Sequence, residues 1–318
     1  MKNLNLREIE KNIEDAQKQF NVRGLALGIV RESGLAYVNG YGERNSKGDP
    51  VSGRTLFQIG STTKAFTAFA IAALVDDGFL SWDSPVANLS DIEFEFNDPV
   101  VQTFANMLDL LSHRSGLPRH DLLFFIWPSL QNIYSKLRVL PPSPFQLRQK
   151  FHYNNICYNL AGDIAGSIFE RHVKENGADF LTSAWARLVH NKILGPLEML
   201  DTRTESAGML NTANCAEGFR YDEEKERFVL YDVDSAYRVR GARPAGSMVS
   251  NIYDLAKWVS LMLRKGVLED GKTRLLSKLN FEKLITPHMT YGKPVSDGPI
   301  QLESCMLFKL NFIEYLLC

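Results

Sequence analysis

The sequence predicts an α+β fold: an antiparallel sheet flanked by helices, with a largely helical insertion in mid-chain. Three observations carry this. Two short apolar runs joined by a Gly-containing turn come early, helical spacing dominates the middle, and one long helix returns after residue 250. The 318 residues are read as a single domain over 1–302. In it an α/β part (about 1–88 and 245–302) brackets a helical part (about 89–244), and 303–318 form an atypical tail.

The start of the chain is polar, with Leu6, Ile9, Ile13, Ala16 and Phe20 at helical spacing. That is an amphipathic helix, without the continuous apolar core of a signal peptide. Leu25-Ala26-Leu27-Gly28-Ile29-Val30, the turn Glu32-Ser33-Gly34, and Leu35-Ala36-Tyr37-Val38-Asn39-Gly40-Tyr41-Gly42 predict a β-hairpin. Residues 45–51 are loop. An extended run, Phe57-Gln58-Ile59, then ends in Gly60. A helix starts at Ser61 and runs through Ala65, Ala68, Ala70, Ile71 and Leu74 until Asp77-Gly78 stops it. Asp109-Leu110-Leu111-Ser112-His113-Arg114-Ser115-Gly116-Leu117-Pro118 reads as a helical turn broken by Ser-Gly and closed by Pro. Residues 159–169 and 178–193 are predicted helices, the second anchored by Trp185, Leu188 and Ile193. After a connection at 197–204, Ser250 or Asn251 caps a last helix that reaches Arg264.

Composition excludes several function classes. Apolar residues make up 45% and charged residues 23%, as in an ordinary globular protein. Thirty-six basic against 37 acidic side chains offer no footprint for nucleic acid or a membrane surface. There is no transmembrane run. Cys157, Cys215, Cys305 and Cys318 lie too far apart to suggest a disulfide framework or a zinc knuckle, so a reducing compartment is expected, and with no signal peptide or transmembrane run visible the expected location is cytoplasmic. The six histidines show no metal-ligand spacing. No Gly-x-Ser-x-Gly elbow occurs. Residues 266–273 match the spacing of a phosphate-binding loop, but an amphipathic helix precedes them and Glu269-Asp270 would repel phosphate. They are read as a helix-exit turn and hairpin.

Chemistry concentrates at two places. On a helix, Lys64 lies one turn above Ser61, with its amine near the hydroxyl. A serine hydroxyl becomes a nucleophile when a neighbouring base takes its proton, and burial in an apolar helix keeps part of a lysine neutral. A Ser-x-x-Lys pair arises about once by chance in such a chain, so the spacing also fits an N-capping Ser beside a solvated Lys. The second place is His152-Tyr153-Asn154-Asn155, just ahead of an apolar helix. The Tyr153 phenol acts as a base only if a cation lowers its pKa, and Lys64 is the available cation. Asn155 offers a donor and an acceptor, suited to a substrate amide and to Lys64. A packed loop tyrosine is the alternative.

Gly60-Ser61-Thr62-Thr63-Lys64, the block at residues 110–118 and Tyr153-Asn154-Asn155 together resemble the β-lactamase-related serine hydrolases. That family includes class C β-lactamases, low-molecular-weight penicillin-binding proteins, D-aminopeptidases and β-lactamase-like esterases. Tyr41-Gly42, Thr55-Leu56-Phe57, Gly195-Pro196-Leu197 and Pro244-Ala245-Gly246-Ser247-Met248-Val249-Ser250 extend the likeness over roughly residues 20–300, in the family's order. The resemblance implies a β-lactamase/transpeptidase-like fold with Ser61 as the acylated nucleophile. Lys64 would be its proton acceptor or the cation tuning Tyr153. Tyr153 would be general base and acid, Asn155 would orient substrate and Lys64, and the Ser61 N–H would face the oxyanion. It implies acyl transfer on a small-molecule or peptide amide or ester, with no metal or organic cofactor. The sequence leaves the oligomeric state open.

One motif departs from the family. Its third motif, Lys-Thr-Gly or His-x-Gly on a pocket-lining strand, is not found after residue 250. The chain runs instead through Gln301-Leu302 into an unrelated tail that ends at Cys318. The sequence-level expectation is therefore a truncated chain, with a catalytically impaired product as the alternative to an active hydrolase. The residue 25–42 hairpin is then expected to keep an open edge. Met306, Phe308, Leu310 and Phe312 alternate with Leu307, Lys309, Asn311 and Ile313 as in a half-buried strand.

Overall fold

A computed structural model describes residues 5–89, 91–126, 129–141, 143–173, 183–205, 214–231, 243–291 and 302–304. The Thr63–Asp76 helix occupies the centre, and every residue from Thr63 to Leu74 is buried. A helix that is apolar all round can only satisfy its surface by being surrounded. The helices Asn155–His172, Ala184–Val189 and Lys278–Ile285 and the short turn Arg243–Gly246 pack around it. Trp258 closes the remaining side. Its ring stacks on Phe66 at 4.2 Å and meets Phe69 edge-on at 5.3 Å.

Trp258 belongs to the Ile252–Leu263 helix, which also covers the hairpin. Strands β1 (Gly24–Arg31) and β2 (Gly34–Gly42) pair antiparallel from Gly24↔Gly42 to Arg31↔Gly34, with an irregularity between Ile29 and Val30. Gly28 sets how close the helix comes, because a Cβ there would lie 2.5 Å from Ile252 Cγ2. Among the described residues, the other edge of β1 pairs with no strand. Strand β3 (Phe57–Gln58) pairs with β6 (Val249–Ser250), β4 (Phe219–Asp222) with β5 (Arg227–Leu230), and β7 (Met289–Tyr291) with β8 (Leu302–Ser304), all antiparallel. The architecture is α+β as expected, with its strands in four antiparallel pairs among the described residues.

The first helix spans Leu6–Gln19, and Asn251 caps the Ile252–Leu263 helix by accepting from the Asp254 N–H. Three boundaries differ from the sequence reading. Ser61 sits in a 3₁₀ turn, Gly60–Thr62, and the α-helix proper starts at Thr63. The helix expected at 159–169 is longer, Asn155–His172, because Asn154 caps it by accepting from the Cys157 N–H. The helix expected at 178–193 opens at Ala184 behind the Ser183 cap and ends in a π-helical turn, His190–Leu194; residues 178–182 lie outside the described ones. The 266–273 segment is the expected turn, with Asp270 accepting from the Lys272 and Thr273 N–H groups and Val267 bridging Arg274. Trp82, Trp185 and Trp258 are buried. Cys157 and Cys215 are buried, and burial pushes the Cys157 thiol up to about 12, so it is inert. Trp127, Cys305, Cys318 and the alternating stretch 306–313 lie outside the described residues. No described helix is long and apolar enough to cross a membrane.

One buried carboxylate anchors the helical part. Asp109 is fully buried and forms a capping box with Asn106 at the start of the Met107–Leu111 helix. It also accepts from Arg114 Nε at 2.7 Å and from Arg148 Nε and Nη2 at 2.9 Å each. Replacing it would leave the half-buried Arg114 without its partner and undo the cap. Asp109→Ala is therefore expected to cost about 3–5 kcal/mol of stability, read as a lower midpoint in urea denaturation. A loss below about 1 kcal/mol would show that solvent satisfies both arginines as well as Asp109 does.

Candidate active site

The site is built where three separate segments meet the start of the central helix. Strand β3 delivers the first. Phe57 and Gln58 pair with Ser250 and Val249, and the Ile59 N–H donates to the Met248 carbonyl at 3.0 Å. Gly60 then turns the chain with φ +49°, a left-handed conformation that a side chain would strain. The turn leaves Ser61 exposed and Lys64 buried behind it, 6% accessible. The Ser61 N–H meets no acceptor among the described residues, as expected at the first turn of a helix.

The second segment carries Tyr153 and Asn155. It is held by a clamp between two loops. The Asn154 N–H donates to His113 Nδ1 at 3.1 Å, the His152 N–H donates to the His113 carbonyl at 2.7 Å, and Asn154 Nδ2 donates to the carbonyls of Leu117 and Pro118. His113 adopts φ +59° and its ring packs 4.5 Å from that of Tyr153. The phenol is thereby aimed at the helix start, where Tyr153 Oη donates to Ser61 Oγ at 2.8 Å.

The third segment is the Arg243–Gly246 turn, fixed from three sides. Thr67 Oγ1 donates to the Pro244 carbonyl at 2.7 Å while accepting from Trp185 Nε1 at 3.0 Å, and the Ala245 N–H donates to Asn159 Oδ1 at 2.9 Å. The Ala245 carbonyl then points at Lys64 Nζ from 2.6 Å. Lys64 Nζ also lies 2.8 Å from Asn155 Oδ1 and 3.2 Å from Ser61 Oγ. Ser61, Lys64, Tyr153 and Asn155, picked out from sequence, thus converge on one centre.

Electrostatics divide these groups. Burial lowers the Lys64 amine from 10.5 to about 7, with Asp121 pushing it up and Arg119 pushing it down. Burial raises the Tyr153 phenol above its ordinary 10, against the Ser61 hydrogen bond and Arg119, with Asp121 adding to the rise. Near neutral pH the amine is thus partly neutral and the phenol keeps its proton.

Sequence reasoning missed three participants. The Ala245 carbonyl is backbone and leaves no signal in side-chain identity. Arg119 lies over the Tyr153 ring at 5.2 Å, and Asp121 accepts from Asn155 Nδ2 at 3.1 Å and from Arg119 Nε. Both follow Leu117-Pro118 directly, so a pair of opposite charges immediately after that block was the available signal. Among the described residues no group of three or more His, Cys, Asp or Glu is placed to hold a metal.

Comparison with known proteins places the chain among relatives. The family model described as Beta-lactamase matches residues 9–300. The unguisins hydrolase ungD′ of Aspergillus campestris is 26% identical over 262 residues, covering 80% of this chain and 46% of that protein. Protein flp of Staphylococcus aureus is 24% identical over 267 residues, covering 80% and 48%. The chain spans about half the length of these curated relatives. Among solved structures, the octameric penicillin-binding protein homologue from Pyrococcus abyssi superposes with a TM-score of 0.77 at 23% identity, over 96% of this chain and 64% of that one. The D-alanine carboxypeptidase AmpC from Burkholderia cenocepacia gives 0.66 at 21% identity, over 95% and 73%. At these identities the superpositions establish the fold.

The clamp on the third segment can be tested at Gly162. A Cβ there would lie 2.4 Å from Pro244 Cβ, so Gly162→Ala must push the Arg243–Gly246 turn and move the Ala245 carbonyl off Lys64. The expected result is a loss of about 1–3 kcal/mol in denaturant melts together with slower reaction of Ser61 with a serine-directed probe. Destabilisation with an unchanged labelling rate would remove the Ala245 carbonyl from the working site.

Proposed function

Because this chain belongs to the Beta-lactamase family of serine hydrolases, we propose that it acts by forming an acyl-enzyme at Ser61 on a small-molecule or peptide amide or ester. The observation that carries this reading is the hydrogen-bond geometry of the Lys64 amine. A neutral amine has two N–H bonds and one lone pair. The Ala245 carbonyl and Asn155 Oδ1 can only accept, so they take both protons. The lone pair is left for the third neighbour, the Ser61 hydroxyl at 3.2 Å.

In this mechanism neutral Lys64 takes the Ser61 proton as Oγ attacks the substrate carbonyl carbon. The carbonyl oxygen becomes an oxyanion facing the Ser61 N–H. Tyr153, 2.8 Å from Oγ and still protonated, gives its proton to the leaving amine or alkoxide, and the Lys64 ammonium restores it. Water then attacks the ester by the reverse relay. This assigns the first proton transfer to Lys64 and the role of acid to Tyr153. No step calls on a metal or an organic cofactor. If residues 1–318 supply no second oxyanion donor, turnover falls by about 10² to 10³ while Ser61 still acylates. That outcome is the impaired form.

Two measurements test the reading. Intact-mass analysis after a fluorophosphonate or penicillin probe should show one adduct, lost in Ser61→Ala; an adduct that persists places the nucleophile elsewhere. The acylation rate should rise with pH through about 7, as the Lys64 amine deprotonates, and fall only above pH 10 as the phenol ionises. In Tyr153→Phe the limb near 7 should remain, with the plateau lowered by about 10² to 10⁴. A limb that disappears with the phenol would make Tyr153 the base.

A further inference from the structure

We propose that Asp121 is a positioning residue that fixes which end of the Asn155 side-chain amide faces Lys64. This rests on the reading of Lys64 as the base. An asparagine amide can be turned end for end at almost no change in shape, and only its partners choose between the two. Asn155 has one partner at each end. Its Oδ1 is 2.8 Å from Lys64 Nζ and its Nδ2 is 3.1 Å from Asp121 Oδ1. A carboxylate accepts and cannot donate, so it holds the NH₂ end and leaves the oxygen toward the amine.

The turned amide would fail at both ends. Its oxygen would face the Asp121 carboxylate, and its NH₂ would face the Lys64 amine. A neutral Lys64 could satisfy that NH₂ only with its lone pair, the electrons the Ser61 proton needs. Asp121 therefore protects the base from being consumed by its own neighbour. Its second oxygen has a matching task, accepting from Nε of Arg119, whose guanidinium lies over the Tyr153 ring. One carboxylate thus ties the amide beside the base to the cation beside the acid. Asp121 is 28% exposed and stands apart from the apolar core, so its hydrogen bonds serve the site more than the fold.

The groups that face the Lys64 amine are Ser61 on its own element, Tyr153 and Asn155, the Tyr158 ring at 5.4 Å, Asp121 and Arg119, and the Ala245 carbonyl. Of these, Asp121 is the one negative charge, and removing it should move Lys64 deprotonation to lower pH. Asp121→Asn, which can accept from Asn155 but can equally donate to a turned amide, should shift the limb down in pH and lose part of the plateau rate. Asp121→Ala should show the same shift and lose roughly tenfold to a hundredfold in plateau rate. The double variant Asp121→Ala/Asn155→Ala should be no slower than Asn155→Ala alone, since Asp121 acts through Asn155. NMR titration of ¹³C-labelled lysine, assigned with Lys64→Met, reads the same shift without any reaction. If the wild-type chain is not labelled at Ser61, the hydrolase reading fails, and the ¹⁵N side-chain amide signals of Asn155 still decide the role of Asp121, since they move in Asp121→Ala only if the carboxylate holds that NH₂. Additive losses in the double variant, an unmoved Lys64 midpoint, or loss of the fold in both single variants would each overturn the proposal.

Discussion

A lysine amine buried in an apolar helix must be given hydrogen-bond partners, and the rest of this molecule is arranged around that requirement. Water cannot reach Lys64 freely, so its amine either finds acceptors or destabilises the helix that carries it. Two acceptors come from segments remote in sequence: Asn155, 91 residues away, and Ala245, 181 residues away. Each must be delivered to within a few tenths of an ångström. The β3–β6 pairing fixes the helix start, the His113–Asn154 clamp fixes the tyrosine segment, and the Thr67 and Asn159 side chains fix the turn at Ala245.

The buried polar network has the character of a jig. Thr63, Thr67, Asn154 and Asn159 are all buried and all bonded to backbone of another segment. A hydrogen bond of this kind contributes only about 0.5–1.5 kcal/mol net, whereas an orphaned buried partner costs about 1–3. Such bonds add little to stability and penalise every other arrangement. The central helix itself is stabilised by its apolar surroundings, with Trp258, Phe66 and Phe69 among the largest contributors.

The same burial shifts amine and phenol in opposite directions. Withdrawal from water disfavours the charged form of each, which lowers a lysine and raises a tyrosine. One environment therefore favours the neutral form of two groups that both ordinarily titrate near pH 10. The opposed charges of Asp121 and Arg119 adjust that balance from the open side of the site.

By itself the sequence determined what depends on near neighbours. The hairpin follows from two apolar runs joined by a Gly turn, the central helix from its apolar run, a cap at Ser250 or Asn251 from side-chain chemistry, and the Ser61–Lys64 approach from 3.6 residues per turn. The blocks at Ser61, residues 110–118 and Tyr153 also carried the family, since their order along the chain is a property of sequence. Tertiary structure alone decided the rest. That the Ala245 carbonyl takes an amine proton, that Asp121 holds Asn155, and that His113 backs Tyr153 are contacts between segments 34 to 181 residues apart. No periodicity encodes them, because packing and burial set them only after the elements have met. The opposite pKa shifts of Lys64 and Tyr153 belong to the same class, since desolvation is a property of the assembled core and not of any stretch of chain.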